Sequence, residues 1–91
     1  MAETPAADSR FNDFVLMQAQ NAGLFLGQIP NPQTGVKSVN LRAARSVLDS
    51  LEMLASKTKG NLTASERKLL DAAIQNLDRL YQTASQSPDE R

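Results

Sequence analysis

The sequence predicts an all-α fold of three helices. Helices 2 and 3 form an antiparallel helical hairpin, and an apolar N-terminal helix packs across it. Apolar residues recur at spacings of three and four in three separate stretches. Each stretch begins near a residue type that caps helices. Segments that contain Pro or Gly separate the stretches and end the helices.

Length and composition restrict the class of protein. The chain has 91 residues, enough for one small domain. The ten basic and ten acidic residues cancel, so no bulk electrostatic attraction to nucleic acid or anionic lipid is expected. The chain has no Cys and no His, which removes thiolate chemistry and the commonest general base and metal ligand. We therefore expect no enzyme activity, no cofactor and no metal site.

The first predicted helix is unusually apolar. It begins at a cap, Asp8 or Ser9, and runs to about Gln28, because Pro30 cannot continue it. One broad stripe of this helix contains Phe11, Phe14, Val15, Ala19, Ala22, Phe25, Leu26 and Ile29.

Three more apolar residues lie outside that stripe, on the side expected to face water: Leu16, Met17 and Leu24. A helix of this kind must be covered on more than one face. A chain this short has little else with which to cover it. We therefore expect the cover to be a second copy, in a dimer or larger homo-oligomer, or another protein.

Three polar or small residues of this helix have two interpretations each. Gln18, inside the stripe, is either a polar pin that fixes the register of a helix interface or an amide that bonds backbone or reaches an edge. Gly23 and Gly27 indicate close packing within or between chains, or Gly27 merely ends the helix. The candidate interface therefore contains Phe14, Leu16, Met17, Gln18, Gly23, Leu24, Phe25 and Gly27.

The long loop after this helix is the candidate recognition loop. Its turn chemistry resides in Pro30, Asn31, Pro32, Thr34 and Gly35. A type I turn with Pro at its second position is expected, followed by Gly at positive φ. The segment holds either a short hairpin between residues 29 and 36 or a rigid elbow. Rigidity would favour recognition because less entropy is lost on binding, whereas the alternative is that the loop only redirects the chain.

The second and third helices have clear start signals. Asn40 caps a helix that runs to about Lys57 and ends before Gly60. Thr63 and Glu66 form a capping box for the third helix, which runs to about residue 84. About five residues separate the two helices, which predicts the antiparallel hairpin. We expect residues 1–8 and 85–91 to be flexible tails around a single helical domain, 9–84.

Five short motifs together resemble the DUF1844 family, a bacterial domain of unknown function. They are FVLM at 14–17, GQIPNPQTG at 27–35, VNL at 39–41, LEML at 51–54 and KTKGNLT at 57–63. The resemblance extends over roughly residues 11–81. It implies a helical protein of the bacterial cytosol, in keeping with the absence of Cys, and it implies no established activity or site residues.

The leading functional hypothesis is a non-enzymatic interaction or scaffolding module that self-associates through its first helix. One alternative is a peripheral membrane protein anchored by the same helix, although that helix has no Lys or Arg flank beyond Arg10. Another is a nucleic-acid accessory protein, which would use a basic edge of the hairpin made of Arg42, Arg45, Lys57, Lys59, Arg67 and Lys68. Acidic residues at ion-pair spacing make an ordinary solvated surface the favoured interpretation of that edge.

Overall fold

Three α-helices make up most of the chain in the computed structural model, which describes residues 7–86. They are α1 (Ser9–Phe25), α2 (Leu41–Lys57) and α3 (Ala64–Gln86). Within the described residues, the β-structure is limited to one isolated bridge between Leu26 and Val39. The predicted fold class is confirmed. Residues 1–6 and 87–91, which form most of the predicted tails, lie outside the described residues.

Each helix begins at a cap that the sequence predicts. The side chain of Asp8 accepts a hydrogen bond in the first turn of α1, and that of Asn40 does so in α2. Thr63 and Glu66 form the reciprocal capping box of α3. The Glu66 N–H donates to Thr63 Oγ1 at 3.1 Å, and the Thr63 N–H donates to Glu66 Oε1 at 2.9 Å.

Helix α1 ends at Phe25, three residues before the predicted end at Gln28. Gly27 takes a φ of 77° and turns the chain away. The N–H of Gln28 donates to the Gly23 carbonyl at 2.9 Å, and the N–H of Gly27 donates to the Leu24 carbonyl at 3.2 Å. These two bonds form a Schellman motif, which satisfies the last carbonyls of the helix. Helix α3 ends later than predicted, since it continues through residues 85 and 86.

All three helices contribute to one apolar core. The largest fully buried side chains are Val15 of α1, Leu48 and Leu51 of α2, and Leu70 of α3. The remaining buried apolar residues are Ala22, Leu26, Ala44 and Leu77. Every helix packs against the other two. The narrow stripes of α2 and α3 therefore face a common interior, as their periodicity predicts.

Helices α2 and α3 run in opposite directions. Residues 58–63 join the end of α2 to the start of α3, and Gly60 takes a φ of 86° in this turn. At the other end of the pair, the guanidinium carbon of Arg45 lies 5.3 Å from the centre of the Tyr81 ring. Because Arg45 is near the start of α2 and Tyr81 near the end of α3, the hairpin is antiparallel.

Helix α1 is fixed to the hairpin at both of its ends. Next to its start, the Asp8 N–H donates to Glu66 Oε2 of α3 at 2.7 Å. At its end, the Phe25 carbonyl accepts a hydrogen bond of 2.6 Å from the N–H of Asn40, the cap of α2. Helix α1 therefore starts beside the start of α3 and ends beside the start of α2.

Candidate interaction surface

One face of α1 stays exposed after the three helices have packed. Phe14 and Met17 retain 46% and 57% of their accessible surface, and Leu24 is half-buried. Phe14, Met17, Asn21 and Leu24 follow one another at spacings of three and four, the spacing of a coiled-coil seam. We call these four residues the α1 seam. The sequence places Phe14 in the broad apolar stripe of α1, but in the fold Phe14 lies on the exposed seam.

Three more residues of the predicted interface lie at the margins of the seam or away from it: Leu16, Gln18 and Phe25. Leu16 is 55% exposed, but it is rotated by about 100° from Met17 and so faces another side of α1. Phe25 is half-buried and packs against the core. Gln18 is also half-buried, which favours the interpretation that its amide reaches an edge.

The two glycines of the candidate interface make close contacts within the chain. A Cβ atom on Gly23 would lie 3.1 Å from Ile29 Cδ1. A Cβ atom on Gly27 would lie 3.0 Å from Val39 Cγ2. Both glycines thus pack closely against side chains of the loop after α1. Gly27 also ends the helix, so both interpretations of that residue hold.

The predicted recognition loop is closed at its base, like an Ω-loop. Residues 26–39 leave α1 and return to it, because Leu26 and Val39 pair in an antiparallel bridge. The side chain of Leu26 is buried in the core, whereas that of Val39 is 43% exposed. We call residues 26–39 the elbow. Its closed base holds it against the end of α1.

The tip of the elbow is a compact turn. The Asn31 carbonyl accepts a hydrogen bond of 2.6 Å from the N–H of Gly35, whose φ is 72°, as the sequence predicts. The Asn31 N–H donates to the Val36 carbonyl at 2.9 Å. The side chains of Asn31 and Thr34 accept bonds from the N–H groups of Gln33 and Val36. These bonds make a rigid elbow, and no strands extend from it.

Two cavities lie on either side of Leu24, between α1 and the elbow. One, of about 240 Å³, is lined by Gln20, Asn21, Leu24, Ile29, Pro30 and Pro32. The other, of about 200 Å³, is lined by Leu24, Phe25, Asn31, Val36, Ser38 and Asn40. The fold thus brings part of the candidate interface and part of the candidate loop into one surface. The remaining predicted loop residues, Thr34 and Gly35, are exposed at the tip.

This surface carries no charge. The chain has 20 charged residues, yet none occurs between Asp13 and Lys37, so α1 from Phe14 onward and the elbow as far as Val36 are uncharged. Lys37 is the one charged residue of the elbow, and it lines neither cavity. The overall composition does not reveal this uncharged segment, but the positions of the charged residues along the sequence do. Recognition at this surface must therefore depend on apolar contact, shape and amide hydrogen bonds.

Two of the six basic residues of the proposed hairpin edge form ion pairs with acidic neighbours. Arg45 approaches Asp49 at 2.7 Å, and Arg67 approaches Asp71 at 3.5 Å. Exposed pairs of this kind contribute little to stability. The hydrogen bond from Arg45 to Asp49 raises the pKa of the Arg45 guanidinium above its ordinary value. This arrangement supports the predicted solvated edge rather than a surface for nucleic acid.

Two kinds of site are absent from residues 7–86. No group of three or more acidic side chains there is close enough to hold a metal ion. No helix in that part of the chain is both long and apolar enough to cross a membrane.

Comparison with protein families identifies the chain. The family model DUF1844, a domain of unknown function, matches residues 8–82. Comparisons with curated proteins and with solved structures give no match. The chain therefore belongs to the DUF1844 family, as the five motifs predict.

Proposed function

We propose that this member of the DUF1844 family is a non-enzymatic interaction or scaffolding module of the bacterial cytoplasm that self-associates through the α1 seam. The observation that carries the proposal is the exposure of Phe14 and Met17 on a helix whose opposite face is already buried. Fully burying such a side chain contributes about 1.5–3 kcal/mol. Phe14 and Met17 are each about half-exposed, so a partner that covers both gains roughly half of that amount for each.

The chemistry of the surface favours a second copy as that partner. The seam and the residues that line the two cavities carry no charge, so two copies can meet there without repulsion between like charges. A highly charged partner would find no opposite charge there. The spacing of the seam suits another helix with the same pattern, and a second copy supplies one.

Light scattering after size exclusion, over a dilution series, tests the proposal. The wild-type chain is expected to have the mass of a dimer or a larger assembly, with dissociation at low concentration. Met17→Glu should shift the chain to the monomer mass, because association would bury an unpaired carboxylate. Circular dichroism should show unchanged helix content.

Met53→Glu is the matched control. Met53 lies on α2 and is 54% exposed, nearly as much as Met17, so the same substitution places the same charge elsewhere. This variant should keep the wild-type mass. A wild-type chain that is monomeric at every concentration would contradict self-association. Equal effects of the two substitutions would contradict the role of the seam.

The two alternative functions predict other results. A membrane anchor would carry the chain to the top of a flotation gradient with anionic vesicles, and Met17→Glu would prevent it. A nucleic-acid accessory protein would retard DNA or RNA at low salt and lose this binding steeply as salt rises. The uncharged seam and the ion pairs at Arg45 and Arg67 lead us to expect neither result.

A further inference from the structure

We propose that two copies associate through an antiparallel pair of α1 helices, in which Phe14 of each copy fills the cavity beside Leu24 of the other. This inference rests on the proposed self-association and adds the direction, the register and the pocket. The seam and the elbow lie together on one face of the chain, and their arrangement supports this pairing.

The face carries a protruding side chain at one end and a concave site at the other. Phe14, near the start of α1, is 46% exposed. Leu24, near its end, lies between the two cavities. Ten residues separate them, which is roughly 15 Å along the helix axis. A two-fold interface uses the same patch on both copies, so a projection and a hollow on one patch can fill each other.

Two-fold symmetry then fixes the register. The axis passes near the level of Ala19, halfway between Phe14 and Leu24. Phe14 lies opposite Leu24 of the partner subunit, and Met17 lies opposite Asn21 of the partner subunit. Phe14 thus meets the part of the partner's surface that contains the cavities. The larger cavity, with its walls of Ile29 and two prolines, receives the aromatic ring.

A parallel pair would fit this surface poorly. It would place Phe14 against its own symmetry mate and leave the cavities of the two copies facing each other. Unfilled cavities lose the dispersion contacts that a packed interface gains.

The elbow is ready for this contact without rearrangement. Its tip is held by the bonds between Asn31, Gly35 and Val36, and its base by the bridge to α1. Ile29 is held against α1 because Gly23 leaves room for its Cδ1 atom. A preformed wall reduces the entropy lost on association. Pro30 and Pro32 thus form walls of the pocket, and Gly23 makes room for Ile29, a third wall.

A charge exchange between two variants tests the register. Phe14→Glu and Leu24→Lys should each be monomeric alone in light scattering. An equimolar mixture should regain the dimer mass, because an antiparallel pair then contains one native Phe14–Leu24 contact and one contact between Glu and Lys. Leu16→Glu is the control on the same helix: Leu16 is 55% exposed but faces another side, so this variant should remain dimeric.

Disulfide capture provides an independent measurement. The chain has no Cys, so introduced thiols are the only ones present. The Phe14→Cys variant and the Leu24→Cys variant carry tags of different length, so that each cross-linked product has its own mass. Under mild oxidation the two variants should cross-link with each other far more than either variant cross-links with a second copy of itself. In the antiparallel register, the two copies of either position lie about 15 Å apart along the helix axis, which is too far for a disulfide bond.

The outcomes separate this inference from the proposed function. Recovery of dimer mass by the mixture and a bond between positions 14 and 24 support the antiparallel pair. Bonds between identical positions, or a dimeric wild type whose variants are not rescued by mixing, overturn the inference but leave self-association standing. A wild type that is monomeric at all concentrations overturns both.

Discussion

The backbone N–H of Asp8 donates a hydrogen bond of 2.7 Å to the carboxylate of Glu66, 58 residues further along the chain. The other oxygen of the same carboxylate accepts a bond of 2.9 Å from the Thr63 N–H. Glu66 is only 3% exposed. One side chain thus completes the capping box of α3 and also holds the start of α1 against α3.

The stability of the fold should decrease in acid through Glu66. The N–H groups of Thr63 and Asp8, in that order, lower the pKa of Glu66 below the ordinary value of 4.5. A carboxylate with a lowered folded-state pKa contributes stability above its unfolded pKa and loses it as pH falls through the folded value. Urea unfolding from pH 6 to pH 3 should therefore show a falling midpoint.

Glu66→Gln isolates this contribution. The uncharged amide can accept one of the two backbone bonds but is a poor substitute for both. The variant should be less stable than wild type at pH 6, and the difference should shrink toward pH 3 as Glu66 becomes protonated. A difference that stays constant over this range would show that the carboxylate charge has no role. Asp8 titrates lower, since the Arg10 side chain lowers the pKa of Asp8 to about 2.

Core packing predicts a large effect at Leu51. This side chain is fully buried at the centre of the three helices. Leu51→Ala should destabilise the fold by about 2–5 kcal/mol, because it removes apolar contacts and leaves a cavity. Met53→Ala, two residues away but exposed, should change stability by about 0.5 kcal/mol or less. Denaturant midpoints of the two variants measure the difference, and similar midpoints would contradict the assignment of the core.

Local chemistry explains why the starts of the helices could be predicted. Asn40 and Thr63 cap their helices through side-chain bonds to N–H groups three residues away, so a short window of sequence contains the whole interaction. The end of α1 is also local, but the apolar period continues past Gly27 and extends the prediction too far. The conformation of Gly27, at positive φ, ends the helix before that period does.

The candidate surface depends on tertiary packing and could be predicted only in part. The sequence identifies an apolar excess on α1, but its periodicity cannot show which flank the hairpin leaves uncovered. Phe14, which the periodicity places in the broad stripe and which is also a candidate interface residue, is found exposed. The cavities beside Leu24 arise because Ile29 and the two prolines fold back on α1. That return requires the bridge at Val39, which the sequence pattern does not predict.

The cap of α2 should contribute measurable stability. Asn40 Oδ1 accepts a hydrogen bond of 3.1 Å from the Ala43 N–H. Asn40→Ala should cost about 1 kcal/mol, because the N–H loses its partner at the helix end. Asn40→Asp should recover most of this loss, since a carboxylate accepts the same bond and suits the positive helix end. Equal stability of the Ala and Asp variants in thermal unfolding would contradict the capping role.

Two glycines at similar positive φ should respond differently to a methyl group. Gly35 has a φ of 72° and open space around its missing side chain, so Gly35→Ala should cost only the left-handed penalty of about 1–2 kcal/mol. Gly27 has a φ of 77°, and its new Cβ would also lie 3.0 Å from Val39 Cγ2. Gly27→Ala should therefore cost more than Gly35→Ala.

A double-mutant cycle shows whether the extra cost at Gly27 comes from the contact with Val39. In a Val39→Ala background the crowding methyl group is gone, so Gly27→Ala should cost about as much as Gly35→Ala. The free energies of unfolding of the single and double variants give the coupling. If the cost of Gly27→Ala is the same in both backgrounds, the return of the elbow to α1 does not depend on close packing at this glycine. A smaller cost in the Val39→Ala background means that Gly27 permits the approach that closes the loop and forms the walls beside Leu24.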